Sequence, residues 1–303
     1  MASILNPLDQ LIAARVKVRF ASLSKRADPI DINDYPKALR GLKAADPLLS
    51  GLKTTTDKYK DAAKKALDEF ATSVDQIPSG LEKLGINPKG IQRYHTQLVN
   101  LIKVAKKGEP LRAYSTFSSD APLKKVDSVI SSLVKTALKS SGAGTKILKP
   151  ALVANYMTKE VVGPFESVKS ACDDWFEFVG SAASKIDKLV MDAWWVSPEP
   201  YSSGFTLTPE YEEYAKAQRV FAKQSRDLVD TVRHNIIGLP MAASGFEDCV
   251  DIDLCLSTAI KALDEALKVN LEFGKKWGDF RAKNQAQESG QKSLFARAVK
   301  QQM

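Results

Sequence analysis

Apolar residues recur along most of this chain at steps of three and four, with polar residues between them. That spacing places side chains on one face of an α-helix, so it predicts helices that each bury a single stripe. Leu123, Val126, Ile130, Leu133 and Ala137 form one stripe. Tyr211, Tyr214, Ala217, Phe221, Leu228 and Val232 form a second, interrupted by Ser225, and Leu256, Ile260, Leu263, Leu267 and Leu271 form a third. No segment alternates with period two, and the best strand candidate, Phe205-Thr206-Leu207, is too short to build a sheet. The expected fold is all-α, a multi-helix bundle with long amphipathic helices and room for two lobes.

Local stop and start signals divide the pattern. Asp46-Pro47, Asp120-Ala121-Pro122 and Thr208-Pro209-Glu210 each read as an N-cap followed by proline in the first helical turn, where its missing N–H has no partner to lose. Helices are predicted at 6–25, 33–43, 47–76, 79–84, 88–107, 122–140, 146–161, 164–195, 209–237, 253–284 and 289–301. Gly163-Pro164 is expected to break or kink the chain. Irregular loops are expected at 108–120, 196–207 and 238–250. Ser140-Ser141-Gly142-Ala143-Gly144 reads as a linker.

Charge gives that linker a second meaning. Residues 1–150 hold 26 Lys+Arg against 14 Asp+Glu, whereas 151–280 hold 13 against 21, and 281–303 return to five against one. The expected division is a basic helical lobe at 1–141, an acidic helical lobe at 142–283 and a C-terminal arm at 284–303. A protein so arranged attracts polyanions at one end and copies of itself head to tail.

The basic side chains converge on helix faces. Lys89, Arg93, Thr96, Asn100, Lys103 and Lys107 recur every three or four residues, opposite Ile91, Tyr94, Leu98 and Leu101. Lys124, Ser128, Ser131, Lys135 and Lys139 form a second polar stripe, and Arg15, Arg19, Ser22 and Arg26 a third. Arg and Lys neutralise phosphates while hydroxyls and amides donate hydrogen bonds without reading sequence. The expected nucleic-acid-binding residues are therefore Arg15, Arg19, Lys89, Arg93, Lys103, Lys107, Lys124, Lys135 and Lys139, with Tyr114 and Phe117 as candidate stacking platforms. A solvated helix face carries the same lysines, so the stripes alone do not decide.

An interface is expected on the 164–195 helix. Trp194 and Trp195 are adjacent and point about 100° apart on a helix, so both cannot face one core. Asp173, Asp174 and Glu177 form an acidic patch on the same helix, suited to a neighbouring copy's basic surface.

Other clusters read as structure. Gly142-Ala143-Gly144-Thr145-Lys146 lacks the P-loop spacing and a leading strand. Glu247, Asp248, Asp251 and Asp253 do not fit a calcium-binding loop and read as helix caps. Cys172, Cys249, Cys255, His95 and His234 lack zinc-ligand spacing, and neither histidine has a nucleophile's context. No metal, cofactor or catalytic residue is expected. An odd, sparse cysteine count fits a reducing, cytoplasmic setting. The first 25 residues carry Arg15, Lys17, Arg19 and Lys25 against Asp9, and read as a plain first helix rather than a targeting segment. No run of 18 apolar residues exists.

The leading expectation is a non-enzymatic, self-associating helical protein of nucleocapsid or coat type, forming a ring or filament and holding nucleic acid, RNA first, by its backbone. A membrane-active bundle on anionic lipid and a protein-binding scaffold are the alternatives.

Overall fold

The computed structural model describes residues 35–107, 111, 122–141, 148–196, 209–244 and 251–302. They form an all-α multi-helix bundle. Helix α1 spans Tyr35–Lys83, followed by a 3-10 turn at Pro88–Ile91 and α2 at Gln92–Ala105. Then come α3 at Pro122–Ser141, α4 at Leu148–Met157, a π turn at Thr158–Val162 and α5 at Gly163–Trp194. Helices α6 (Pro209–Ser244) and α7 (Ile252–Gln302) complete the described chain.

Several predicted breaks are absent. Pro47 and Pro78 lie inside α1, and Pro240 inside α6, where 238–250 was expected to be a loop. A proline in a helix interior costs about 3 kcal/mol, whereas fully burying one leucine stabilises by about 1.5–3 kcal/mol. Leu42, Ala45 and Leu49 stay buried across Pro47, and Val74, Ile77 and Leu81 across Pro78, so continuing the stripe outweighs the lost bond. The Gly163-Pro164 break is also absent. The helix widens instead: the Gly163 N–H donates to the Thr158 carbonyl, five residues back. The wider turn makes room for the Pro164 ring while Val161, Phe165 and Val168 remain buried. The predicted gap near residue 285 is likewise helical backbone within α7.

Contacts cluster into two compact units. The described parts of the first lie within 52–181 and 238–255, those of the second within 35–51, 182–237 and 256–302. Helices α1, α5, α6 and α7 contribute residues to both. The division therefore does not follow the 140–146 linker, and α3 and α4 on either side of it pack together in the first unit. Nor does it separate charge as the sequence halves do. Described residues of the first unit carry 18 Lys+Arg and 14 Asp+Glu, those of the second 19 and 13.

The first unit packs the second half of α1 with α2, α3, α4 and the start of α5. Phe70 and Phe165 meet with ring centroids 5.1 Å apart at its centre, among Leu81, Leu98, Ile130 and Val161. Buried Trp175 donates from Nε1 to Thr56 Oγ1 at 3.2 Å. The α3 stripe is buried as predicted: Leu123, Val126, Ile130, Leu133 and Ala137 are all in this core.

The second unit packs the start of α1, the end of α5, most of α6 and α7. Phe221 and Phe273 stack with centroids 4.1 Å apart, and Tyr214 lies 5.4 Å from Trp277. Ser225, the apparent gap in the α6 stripe, is fully buried. Its hydroxyl donates to the Ala193 carbonyl at 3.0 Å and accepts from Asn270 Nδ2 at 3.3 Å. A hydrogen-bonded hydroxyl escapes the burial cost that would otherwise exclude it. In α7 the predicted Leu256 and Leu263 are fully buried, but the buried face then drifts off the stripe: Ala266, Asn270 and Phe273 are buried while Leu271 is 47% exposed.

Helix proximity at Gly41 sets a sharp steric condition. A methyl group there would overlap the Leu189 backbone carbonyl oxygen, whereas nothing approaches Gly51. Gly41→Ala is expected to lower stability by about 1–3 kcal/mol through overpacking. Gly51→Ala should raise it by about 0.5–1 kcal/mol. Thermal melts of the two variants against the parent check both signs.

Tyr156 supplies a pH test. Its hydroxyl donates to the Gln76 carbonyl at 3.3 Å, and its pKa is raised by burial, with Glu160 adding to the effect. The folded state thus holds this proton more tightly than the unfolded state. The stabilisation is complete below the unfolded pKa near 10 and declines as pH rises through the folded value. Denaturant titrations at pH 8 to 11 should show a steeper alkaline loss in the parent than in Tyr156→Phe. Parallel curves would contradict the assignment.

Candidate nucleic-acid interface

A capped turn aims α2. Gly85 has φ 71°, a conformation that glycine adopts without a Cβ clash. The Ile86 N–H donates to the Leu81 carbonyl and the Gly85 N–H to the Glu82 carbonyl, closing α1 in a Schellman motif. Asn87 then caps the next turn, its side chain accepting from the Lys89 N–H at 3.0 Å ahead of Pro88. His95 Nε2–H donates to the Val74 carbonyl at 3.0 Å and ties α2 to α1, which gives this histidine a structural role.

Helices α2 and α3 form an antiparallel hairpin. A methyl group at Gly90, in the turn that leads into α2, would sit 3.4 Å from Ser140 Oγ, at the end of α3. Leu98 and Ile102 of α2 and Val126 and Ile130 of α3 share the same core. Their burial turns the intervening polar residues outward, so two basic stripes that are separate in sequence share one surface. Lys89, Arg93, Lys103, Lys107, Lys124, Lys135 and Lys139 are all exposed.

This hairpin accounts for the whole net charge. Residues 88–107 and 122–141 contain nine Lys+Arg and a single acidic residue, Asp127. The rest of the chain holds 35 of each sign, so the hairpin's +8 equals the chain's. Asp127 is directed to Lys169 Nζ of α5, 3.8 Å away. The Lys169 amine has its pKa raised by a hydrogen bond to Glu166, with Asp127 and Asp173 contributing charge and burial opposing them. Lys106 turns back to Asp68 of α1 at 2.6 Å. Among the described residues, no carboxylate lies within ion-pair distance of Lys89, Arg93, Lys103, Lys107, Lys135 or Lys139.

A groove of about 530 Å³ runs between the two helices. Helix α2 lines it with Tyr94, Gln97, Asn100, Leu101 and Val104, and α3 with Lys125, Ser128, Val129 and Ser132. The hydroxyls of Ser128 and Ser132 donate to the Lys125 and Ser128 carbonyls at 2.9 Å, so their protons are committed to the backbone. No carboxylate lines the groove. Sequence reasoning missed it because Tyr94 and Leu101 read as core. The available signal was Val104 and Val129, apolar residues lying off the fully buried stripes. Arg15, Arg19, Tyr114 and Phe117 lie outside the described residues, as does the Gly142–Lys146 segment.

The expected interface residues fall in different units. Asp173, Asp174 and Glu177 are exposed on α5 within the first unit. Trp194 belongs to the second unit and is occupied within the chain. Its Nε1 donates to Asp230 at 2.8 Å, and its ring lies 5.0 Å from the Arg226 guanidinium and 5.9 Å from that of Arg233. Trp195 meets Trp194 edge-on at 4.5 Å, and both rings stay half-buried. Arg233 also donates to buried Asp187.

Of the remaining clusters, Glu247, Asp248 and Cys249 lie outside the described residues, and the others have local explanations. Asp251 accepts from the Leu254 N–H at 2.7 Å as a cap of α7, and Asp253 pairs with Lys60 at 2.8 Å. Cys172 and Cys255 are buried. Among the described residues no grouping of His, Cys, Asp or Glu could hold a metal ion, and no helix is long and apolar enough to cross a membrane. Comparison with protein-family models, curated proteins and solved structures finds no match to this chain.

Removing Asp187 should be costly because it leaves Arg233 largely buried with only Asp230, 3.6 Å away, as counter-charge. Asp187→Ala is expected to lose about 3 kcal/mol, the low end for breaking a buried pair. Chemical denaturation checks the loss, and Trp fluorescence should report the disturbance at Trp194.

Proposed function

We propose that this chain is a non-enzymatic helical protein that binds the phosphate backbone of nucleic acid, RNA foremost, along the α2–α3 hairpin without reading sequence. The observation that carries this reading is the concentration of the chain's entire +8 on forty hairpin residues whose one carboxylate is drawn to Lys169. A solvated helix face usually mixes signs, whereas this one presents a nearly uniform positive field, the footprint expected of a polyanion site. The exposed amides of Gln97 and Asn100 among the lysines suit phosphate and sugar contacts that set position without specificity.

Self-association into a ring or filament is the second part of the proposal. Its support is the exposed acidic patch of Asp173, Asp174 and Glu177, which offers a neighbouring copy's basic hairpin a complementary charge. Membrane binding is the competing reading for the same lysines and predicts binding to anionic vesicles in place of RNA.

Purified protein should elute as a large species rich in 260 nm absorbance that collapses after nuclease and high salt. Light scattering across the elution reports the oligomer. Combined Arg93→Glu, Lys103→Glu and Lys139→Glu should weaken RNA binding by more than a hundredfold at low salt. It should also flatten the salt dependence by about 0.7 per lost contact on a single strand. An unchanged affinity with intact helical circular dichroism would refute the hairpin as the site.

A further inference from the structure

We infer that the α2–α3 groove accepts unstacked bases, which makes single-stranded nucleic acid the ligand class of the hairpin and excludes duplex as its preferred form. The inference rests on the hairpin binding nucleic acid, and goes beyond it in saying what lies between the phosphate contacts.

The groove chemistry differs from that of its rim. A phosphate site is polar and cationic, but this groove presents the half-buried Tyr94 ring beside Leu101, Val104 and Val129. Val104 is 57% exposed, an apolar side chain left to water on a helix whose other outward residues are polar. Gln97 and Asn100 are exposed at the same groove and bring both amide donors and acceptors. An aromatic ring, apolar walls and amides match a flat heterocycle with hydrogen-bonding edges. A phosphate would use none of the first two.

Size and charge point the same way. About 530 Å³ lies within the 300–1,000 Å³ usual for small-ligand pockets, room enough for a nucleobase. Exposed lysines on both helices hold a backbone on either side. Bases stacked inside a duplex cannot reach such a groove, whereas those of a single strand can turn in and stack on an aromatic ring. Stacking of this kind tolerates any base, in keeping with sequence-independent binding.

The test compares three fluorescent ligands of equal phosphate number by anisotropy: a single-stranded RNA, its duplex, and a single strand with abasic sites. The full chain should bind the single strand at least tenfold more tightly than the abasic strand or the duplex. Tyr94→Ala should lower single-strand affinity about five- to a hundredfold while abasic binding stays unchanged. Tyr94→Phe should restore it. Because Tyr94 also packs against the core, the exposed pair Gln97→Ala with Asn100→Ala provides a second variant, expected to narrow the same ratio in a folded protein. Equal affinity for all three ligands, or ratios that neither variant moves, overturns base insertion and leaves backbone binding standing. Absence of binding to any of them overturns both.

Discussion

Burial of one apolar stripe per helix is the constraint from which the rest of this structure follows. It is strong enough to carry α1 through Pro47 and Pro78. There each proline removes a backbone bond worth less than the side chains kept dry on either side of it. At Pro164 the same pressure takes a different form. The helix keeps Val161 and Phe165 in the core by widening to a π turn rather than by stopping. Long continuous helices are therefore the cheaper solution here, and short helices with loops would expose more leucine and valine than the saved hydrogen bonds could offset.

The same stripes determine where charge can go. On α2 and α3 the buried face is fixed by Leu98, Ile102, Val126 and Ile130, so the lysines between them have only the outer surface available. The Gly85 turn and the Asn87 cap set the direction of α2, and the antiparallel return of α3 brings the second stripe beside the first. Segments separated by more than a dozen residues thereby become one basic surface with a mixed groove along it. The rest of the chain sums to zero, so the chain's net +8 is carried by this hairpin.

The helical class, the α3 stripe and the basic residues of the hairpin were legible in the sequence, because periodicity and residue type are local. The helix breaks were not. A proline preceded by aspartate is a sound N-cap signal, and only the tertiary burial of Leu42 and Leu49 overrides it at Pro47. Ser225 looked like a flaw in a stripe because its partners, Ala193 and Asn270, are remote in sequence. The groove was hidden for the same reason, since Tyr94 and Val129 become neighbours only when α2 and α3 pair. The basic and acidic halves read from the sequence are real as counts, yet helices that serve both units distribute those charges across both.

One feature of the hairpin runs against its own stability. Neither α2 nor α3 has an acidic residue in its first turn, where a carboxylate would be favoured by the helix dipole. Arg93 occupies that position in α2, and Lys124 and Lys125 occupy it in α3. Each cation placed there opposes the dipole by about 0.3–1 kcal/mol, and the cations repel one another. Folding alone would favour aspartate or glutamate at these sites, as at Glu210 and Glu212 of α6 and Asp253 of α7, although α1 and α4 begin without an acid as the hairpin helices do. Under the proposed binding, a phosphate held by these cations would offset their mutual repulsion. The charge placement is thus unfavourable in the isolated hairpin, and the buried stripes of α2 and α3 hold the fold in spite of it.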